Sequence, residues 1–252
     1  GSASAACSDW TSATTDQTFV GSPNRSTHSW SLYGSTNCST IRELLCMHAG
    51  GGPDLPSILN YGGLAFVTSA SGAGRIGDWP EAGGHIGIEA ADAVCRSRAA
   101  AGGLRFPESF KAWLSTSSVD AIDRFSFNGP WVRLDGVLIA QSKADLVDGE
   151  IFGPINQNEL GTYIQNYFIL TGTESDGTWG NDDCAGWTSS LATDDAIMGR
   201  ANGVLRWTDQ GYSSGCDLAG RLFCLSEVAF GPVVFYDDFE TATTGAWSTT
   251  SP

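Results

Sequence analysis

The residues best able to do chemistry in this 252-residue sequence are its seven cysteines. They stand at Cys7, Cys38, Cys46, Cys95, Cys184, Cys216 and Cys224. None falls in a C-x-x-C pair, and His28, His48 and His85 are scattered, so a structural zinc site lacks a ligand set. Seven cysteines against two methionines suit an oxidising, extracellular compartment, and an odd count leaves one over. Catalytic arrangements are poorly supplied. A Ser/His/Asp triad needs a histidine held by a carboxylate, and beyond residue 50 only His85 is available, in a glycine-rich loop. Paired carboxylates for glycoside hydrolysis could be drawn at will from 28 acidic residues, so they carry no signal. The chain reads as non-enzymatic.

Charge narrows the partners. Thirteen Lys and Arg against 28 Asp and Glu leave a net charge of −15. Such a field repels phosphate backbones and anionic membranes and favours cations, so nucleic acid is excluded as a partner. No apolar run is long enough to span a bilayer. Gly1 to Cys7 lacks the charged and apolar regions of a leader, so the sequence is expected to be a mature or excised segment. Asn24-Arg-Ser26 and Asn37-Cys-Ser39 match the N-glycosylation sequon, a pattern that also arises by chance.

An internal repeat organises these residues. Cys7-Ser-Asp-Trp10-Thr-Ser reappears as Cys184-Ala-Gly-Trp187-Thr-Ser, and the C-x7-C spacing of Cys38 and Cys46 reappears at Cys216 and Cys224. Trp30 and Trp207 precede the second cysteine of each set. All these pairs lie 177 or 178 residues apart. Residues 1–50 therefore duplicate only the last part of a unit. A repeat that cannot bury its apolar face alone needs a neighbour.

The elements that must position the cysteines follow from local pattern. Leu64–Ser69 and Phe110–Ser115 predict strands, and Ile88–Ala101, closed by Gly102-Gly103, predicts a helix. Ala91, Val94, Cys95 and Arg98 form that helix's stripe, with the polar Arg98 out of keeping. Ser117–Asp120 predicts a cap for a short helix through Phe125. Trp131–Ala140, centred on Asp135-Gly136, predicts a hairpin with a type I′ turn. Residues 145–203 read as a long loop region, with strands resuming at Val204–Trp207 and Arg221–Leu225.

Three features together resemble the C-type lectin-like fold: a helical cysteine, two later cysteines flanking a Trp-containing strand, and a last cysteine in a terminal strand. Ala91–Leu104, Phe110-Lys-Ala-Trp-Leu-Ser115, Phe125–Gly129 and Arg221-Leu-Phe-Cys224 resemble the endostatin-like branch. The resemblance implies an α+β, disulfide-stapled mixed sheet with one main helix and a long irregular loop region. It spans 64–228, after a partial unit at 1–50 and a linker at 51–63, and before a linker, flexible end or further module at 229–252. It also implies bridges Cys95–Cys224 and Cys184–Cys216. By the repeat Cys7–Cys38 copies the second, and Cys46 is left unpaired or intermolecular.

The same resemblance implies a calcium-dependent glycan site. Its ligands match Asn156, Asp182, Asp183 and Asp209 in part, with Glu159 and Asn181 as further glycan contacts. The family's loop motif is reduced to Pro154-Ile155-Asn156, and Trp207-Thr208-Asp209 keeps the acid but not its neighbouring Asn. Acidic loop residues also serve simply to solvate a negative surface, and Trp30 and Trp207 read as core residues first. Endostatin-like zinc and heparin sites do not carry over, since the histidine cluster and basic surface are missing. The expectation is a secreted or cell-surface module, structural or adhesive, assembling through its half-unit with another copy or an adjoining repeat. The alternative is a calcium-dependent lectin.

Overall fold

The computed structural model describes residues 7–14, 16–22, 31–44, 61–165 and 167–230. Cys46, Asn24, Trp30, most of the 51–63 linker and the tail beyond Phe230 lie outside them. The chain is α+β, mostly sheet with few helices, and three disulfides staple it. Among the described residues no helix is long and apolar enough to cross a membrane.

Near the start, a single turn α1 (Cys7–Trp10) precedes the antiparallel pair β1 (Gln17–Val20) and β2 (Gly34–Asn37). The main unit opens with β3 (Gly63–Val67) and the helix α2 (Gly87–Ala101). Then come β4 (Phe110–Ala112), β5 (Trp131–Arg133) and β6 (Leu138–Ala140). Next follow α3 (Lys143–Leu146), β7 (Phe168–Leu170), α4 (Cys184–Trp187), β8 (Asp195–Arg200), β9 (Ser213–Gly215) and β10 (Phe223–Ser226). A five-stranded sheet runs β4-β10-β3-β5-β6, with only β3 and β5 parallel. A second sheet runs β7-β8-β9.

Strand alternation buries the main sheet on both faces. Phe66 of β3 and Cys224 of β10 face α2, where Ala90, Ala91, Val94, Cys95 and Ala99 supply a small-residue surface. Ala65, Val67, Phe223 and Leu225 face the opposite way, onto Trp113, Phe125, Trp131, Ile139 and Trp207. The large aromatics keep their polar handles satisfied: Trp113 Nε1 donates to Thr208 Oγ1 at 2.8 Å and Trp131 Nε1 to the Ser226 carbonyl at 3.0 Å.

Several local expectations need correction. The 145–203 region is not merely loop, because β7 and β8 pair in register there. The strand expected at Val204–Trp207 is absent; Arg206 takes a left-handed φ of 58°, which breaks any extended run, and β8 lies earlier, at Asp195–Arg200. The Trp131–Ala140 hairpin exists, but only Gly136 takes a positive φ, 83°, while Asp135 does not. A type I′ turn needs both residues left-handed, so the connection is a longer loop closed by Gly136. Residues 117–125 form only a 3-10 turn, Ile122–Arg124, without a side-chain cap. Pairing continues just outside 64–228: the Gly62 N–H donates to the Phe230 carbonyl at 3.0 Å, and the Phe230 N–H donates to the Gly62 carbonyl at 2.7 Å.

All three disulfides match the expected pairing: Cys7–Cys38, Cys95–Cys224 and Cys184–Cys216. The two short ones sit in matching surroundings. Thr11 and Ser12 N–H groups donate to the Cys7 carbonyl, as Thr188 and Ser189 donate to that of Cys184. Cys38 N donates to Asp16 O at 2.7 Å, and Cys216 N to Asp194 O at 2.8 Å. Gln17 pairs with Asn37 as Asp195 pairs with Gly215. Both single turns are left-handed: φ is 48° at Cys7 and 65° at Trp10, against 52° at Cys184 and 64° at Trp187. L-residues enter that region at a cost of about 1–2 kcal/mol each, so a turn built this way twice reflects a shared sequence constraint.

Candidate functional site

The acidic residues singled out in the sequence are held by different parts of the fold. Glu159 is fully buried and already engaged. Its Oε2 accepts from the Ser69 N–H at 2.9 Å, and its Oε1 accepts from Arg98 Nε at 2.9 Å and Nη2 at 2.5 Å. Arg98, out of keeping on the apolar stripe of α2, is thus the counter-charge of Glu159. Asn156, 2% exposed, accepts from Arg133 Nη1 through its Oδ1 at 2.5 Å.

Asp183 caps α4. Its Oδ1 accepts from Gly186 N at 2.9 Å and its Oδ2 from Ser117 N at 3.1 Å. Asp182 accepts from Ser213 Oγ at 2.5 Å, at the edge of the β8–β9 ladder. Asn181 is exposed and left-handed, with φ 74°. Asp209 accepts from Gly211 N at 2.7 Å. Calcium requires six to eight oxygen ligands gathered at one point. Among the described residues no three Asp, Glu, His or Cys side chains gather in a way that could hold a metal ion. Asn156 and Glu159 also face arginines, so this donor set does not fit calcium.

The surface does carry a cleft of about 510 Å³, lined by residues that include Leu205, Arg206, Trp207, Thr208 and Asp209. Trp207 packs on Trp113 with ring centroids 5.1 Å apart and is 1% exposed, so it forms the floor. Its Nε1 has no acceptor among the described residues. Asp209 lines the cleft, and the Glu174 carboxyl lies within hydrogen-bonding reach of it. Burial, then the Asp209 charge and that hydrogen bond, then Asp176, hold the Glu174 carboxyl above its usual range. No protein-family model matches this chain, and no curated protein matches it either. The site must therefore be read from its own geometry.

Sequence reasoning missed Glu174. It lies far from Asp209 in the chain, in a Thr-Glu-Ser-Asp stretch that resembles any exposed loop. Nothing in sequence order brings the two together. The raised Glu174 carboxyl sets a pH dependence. A carboxyl whose folded pKa is raised adds stability that is complete below its unfolded pKa and is lost as pH rises through the folded value. Glu174→Gln keeps a donor for Asp209 without the charge. It is expected to be more stable than the parent at pH 7 by a small margin, under about 1 kcal/mol because the pair is only half-buried. At pH 4 the two should unfold at nearly the same urea concentration; an equal gap at both pH values would rule out a raised Glu174 carboxyl.

Elsewhere, two further carboxyls are held by partners within the fold. Burial alone would raise Asp135, but hydrogen bonds from Arg133 and Tyr163 outweigh it and hold the carboxyl below its usual range. Glu227 behaves likewise, lowered through Ser126 and Lys111 against its burial. Asn37 is exposed at the end of β2, adjoining the bridged Cys38.

Proposed function

We propose that this chain is a non-enzymatic extracellular module of C-type-lectin-like architecture, serving as a structural or adhesive unit within an array of such units. The observation that carries this reading is the pair of matched hairpins, each with a left-handed cysteine turn, a bridge closing about thirty residues and the same strand register. A chain that repeats the stapled back of a unit is built to be stacked with neighbours. Three disulfides suit an oxidising compartment. The acidic side chains mostly cap turns, pair with arginines or accept within the fold, which is what a scaffold asks of them.

The test is binding against turnover. The immobilised chain is offered a panel of glycans and extracellular proteins, with calcium or with EGTA, and assayed in parallel on glycoside and ester substrates. Saturable binding to a macromolecule, unchanged by EGTA and without turnover, is expected. Glycan binding abolished by EGTA would instead establish the calcium-dependent lectin alternative. Turnover lost on Asp209→Asn would overturn the non-enzymatic reading.

A further inference from the structure

We infer that residues 7–44 carry a docking surface for the front portion of a lectin-like unit: a small-residue helix and following strand of the kind formed here by α2 and β4. The inference rests on the repeat reading above and adds the identity of the partner and the residues that meet it.

The complete unit supplies the template. At the observed register, Cys7, Trp10, Thr18, Val20, Cys38 and Leu44 correspond to Cys184, Trp187, Ala196, Met198, Cys216 and Leu222. All six counterparts belong to one buried cluster, where they pack with Ala91, Val94 and Cys95 of α2 and Phe110 and Ala112 of β4. Trp187 is fully buried, and its Nε1 donates to the Ser115 carbonyl at 2.9 Å.

The half-unit repeats the surface with part of its cover missing: Cys7 and Thr18 stay buried, but the large side chains at its ends do not. Trp10 is 69% exposed where Trp187 is 0%, and Leu44 is 82% exposed where Leu222 is 0%. Phe19, 53% exposed, lies on the other face of β1 from Thr18 and Val20 and is not part of this surface. Two large apolar side chains left in solvent where their counterparts are fully buried mark an interaction face rather than solvent-adapted surface.

Stoichiometry selects the occupant. Among the described residues there are two back portions, at 7–44 and 184–226, and one front portion, at 62–182. That front is already tied to its own back by Cys95–Cys224 and by the α2 cluster. The same front in a second copy is tied in the same way and is not free to be lent. The occupant is a front-type segment beyond those described, with apolar residues spaced like Ala91, Val94 and Cys95 and a carbonyl placed to receive the Trp10 indole.

The test joins a second copy of residues 61–182 ahead of Gly1 of the whole chain. The added segment brings one cysteine, making the total even. Cys46 is not part of the surface described, but its spacing makes it the counterpart of Cys224, so its thiol serves as readout. We expect no free thiol by mass mapping, a bridge from Cys46 to the added Cys95, and loss of most hydroxyl-radical labelling at Trp10 and Leu44. Trp10→Asp with Leu44→Asp should restore both free thiols while leaving Cys7–Cys38 closed. Two free thiols and parent-level labelling at Trp10, with Cys7–Cys38 intact, would overturn the docking inference. Failure of Cys7–Cys38 to form would instead sink the repeat reading. A parent chain that sediments as a dimer with Trp10 already protected would make the occupant a second copy and overturn the assignment made here.

Discussion

Replacing Cys95 and Cys224 together by alanine is expected to lower the stability of the main unit by about 4–5 kcal/mol. The bridge spans 129 residues, the longest loop closed here, and in the chain-entropy model stabilisation grows with the logarithm of that length. It joins the middle of α2 to the central region of the sheet, where β10 lies between β3 and β4. Both cysteines are fully buried, so the double change also leaves a small void against Phe66 and Val94. At roughly 2–4 °C per kcal/mol for a unit of this size, the melting temperature should fall by about 10–20 °C. Urea unfolding followed by tryptophan fluorescence reads the change. A loss below about 1 kcal/mol would mean the helix is held by packing alone and the staple is dispensable. The same change at Cys7 and Cys38 should leave the main transition unmoved, since that bridge lies wholly within the half-unit.

Arg98→Met is expected to cost about 3–5 kcal/mol, because it strands the buried Glu159 carboxylate without its counter-charge. The Glu159 side chain is 0% exposed, and of its partners only Arg98 carries positive charge. The ion pair also sits where Gly102 closes α2 against the Glu159 backbone. A Cβ on Gly102 would lie 2.4 Å from the Glu159 carbonyl oxygen, so the helix end and the loop are fitted to each other. Pairing Arg98→Met with Glu159→Leu should recover much of the loss, as apolar replacements of buried ion pairs commonly do. The measurement also separates two roles for Glu159. Were this carboxylate a calcium ligand, millimolar calcium would rescue Arg98→Met in urea titrations; we expect identical curves in calcium and in EGTA.

How legible this molecule is from its sequence differs sharply by element. The α2 helix was expected from Ile88 to Ala101 and runs from Gly87 to Ala101, because its small-residue stripe and Gly102-Gly103 stop are local signals. The hairpin of β5 and β6 was legible for the same reason, though its turn type was not, since Asp135-Gly136 fits more than one loop. The cysteine pairing followed from the resemblance and from a repeat that needs only counting. By contrast β8 and β9 escaped notice. Asp195–Arg200 and Ser213–Gly215 lack the alternation of a half-buried strand, and they become strands because Leu170 and Cys216 offer them a place in the core.

The site divides in the same way. Asp183 and Asp209 were identifiable as acids in suggestive positions, yet the Ser117 N–H that Asp183 accepts from and the Glu174 carboxyl beside Asp209 are neighbours distant in sequence. Glu159 and Asn156 look like cation donors when only residue type is visible. Arg98 and Arg133 claim them instead, and those contacts span 61 and 23 residues.

Sequence alone determined the composition-level character of this protein, its oxidising chemistry, its main helix and the doubling of its cysteine–tryptophan pattern. These depend on residue identity and short-range spacing, which any conformation retains. Tertiary structure alone decided which carboxylates are spent on arginines, which carboxyl is held above its usual range, and why Trp10 stands in solvent while Trp187 is buried. Desolvation and charge pairing act through space, and chain order says little about which groups will meet there.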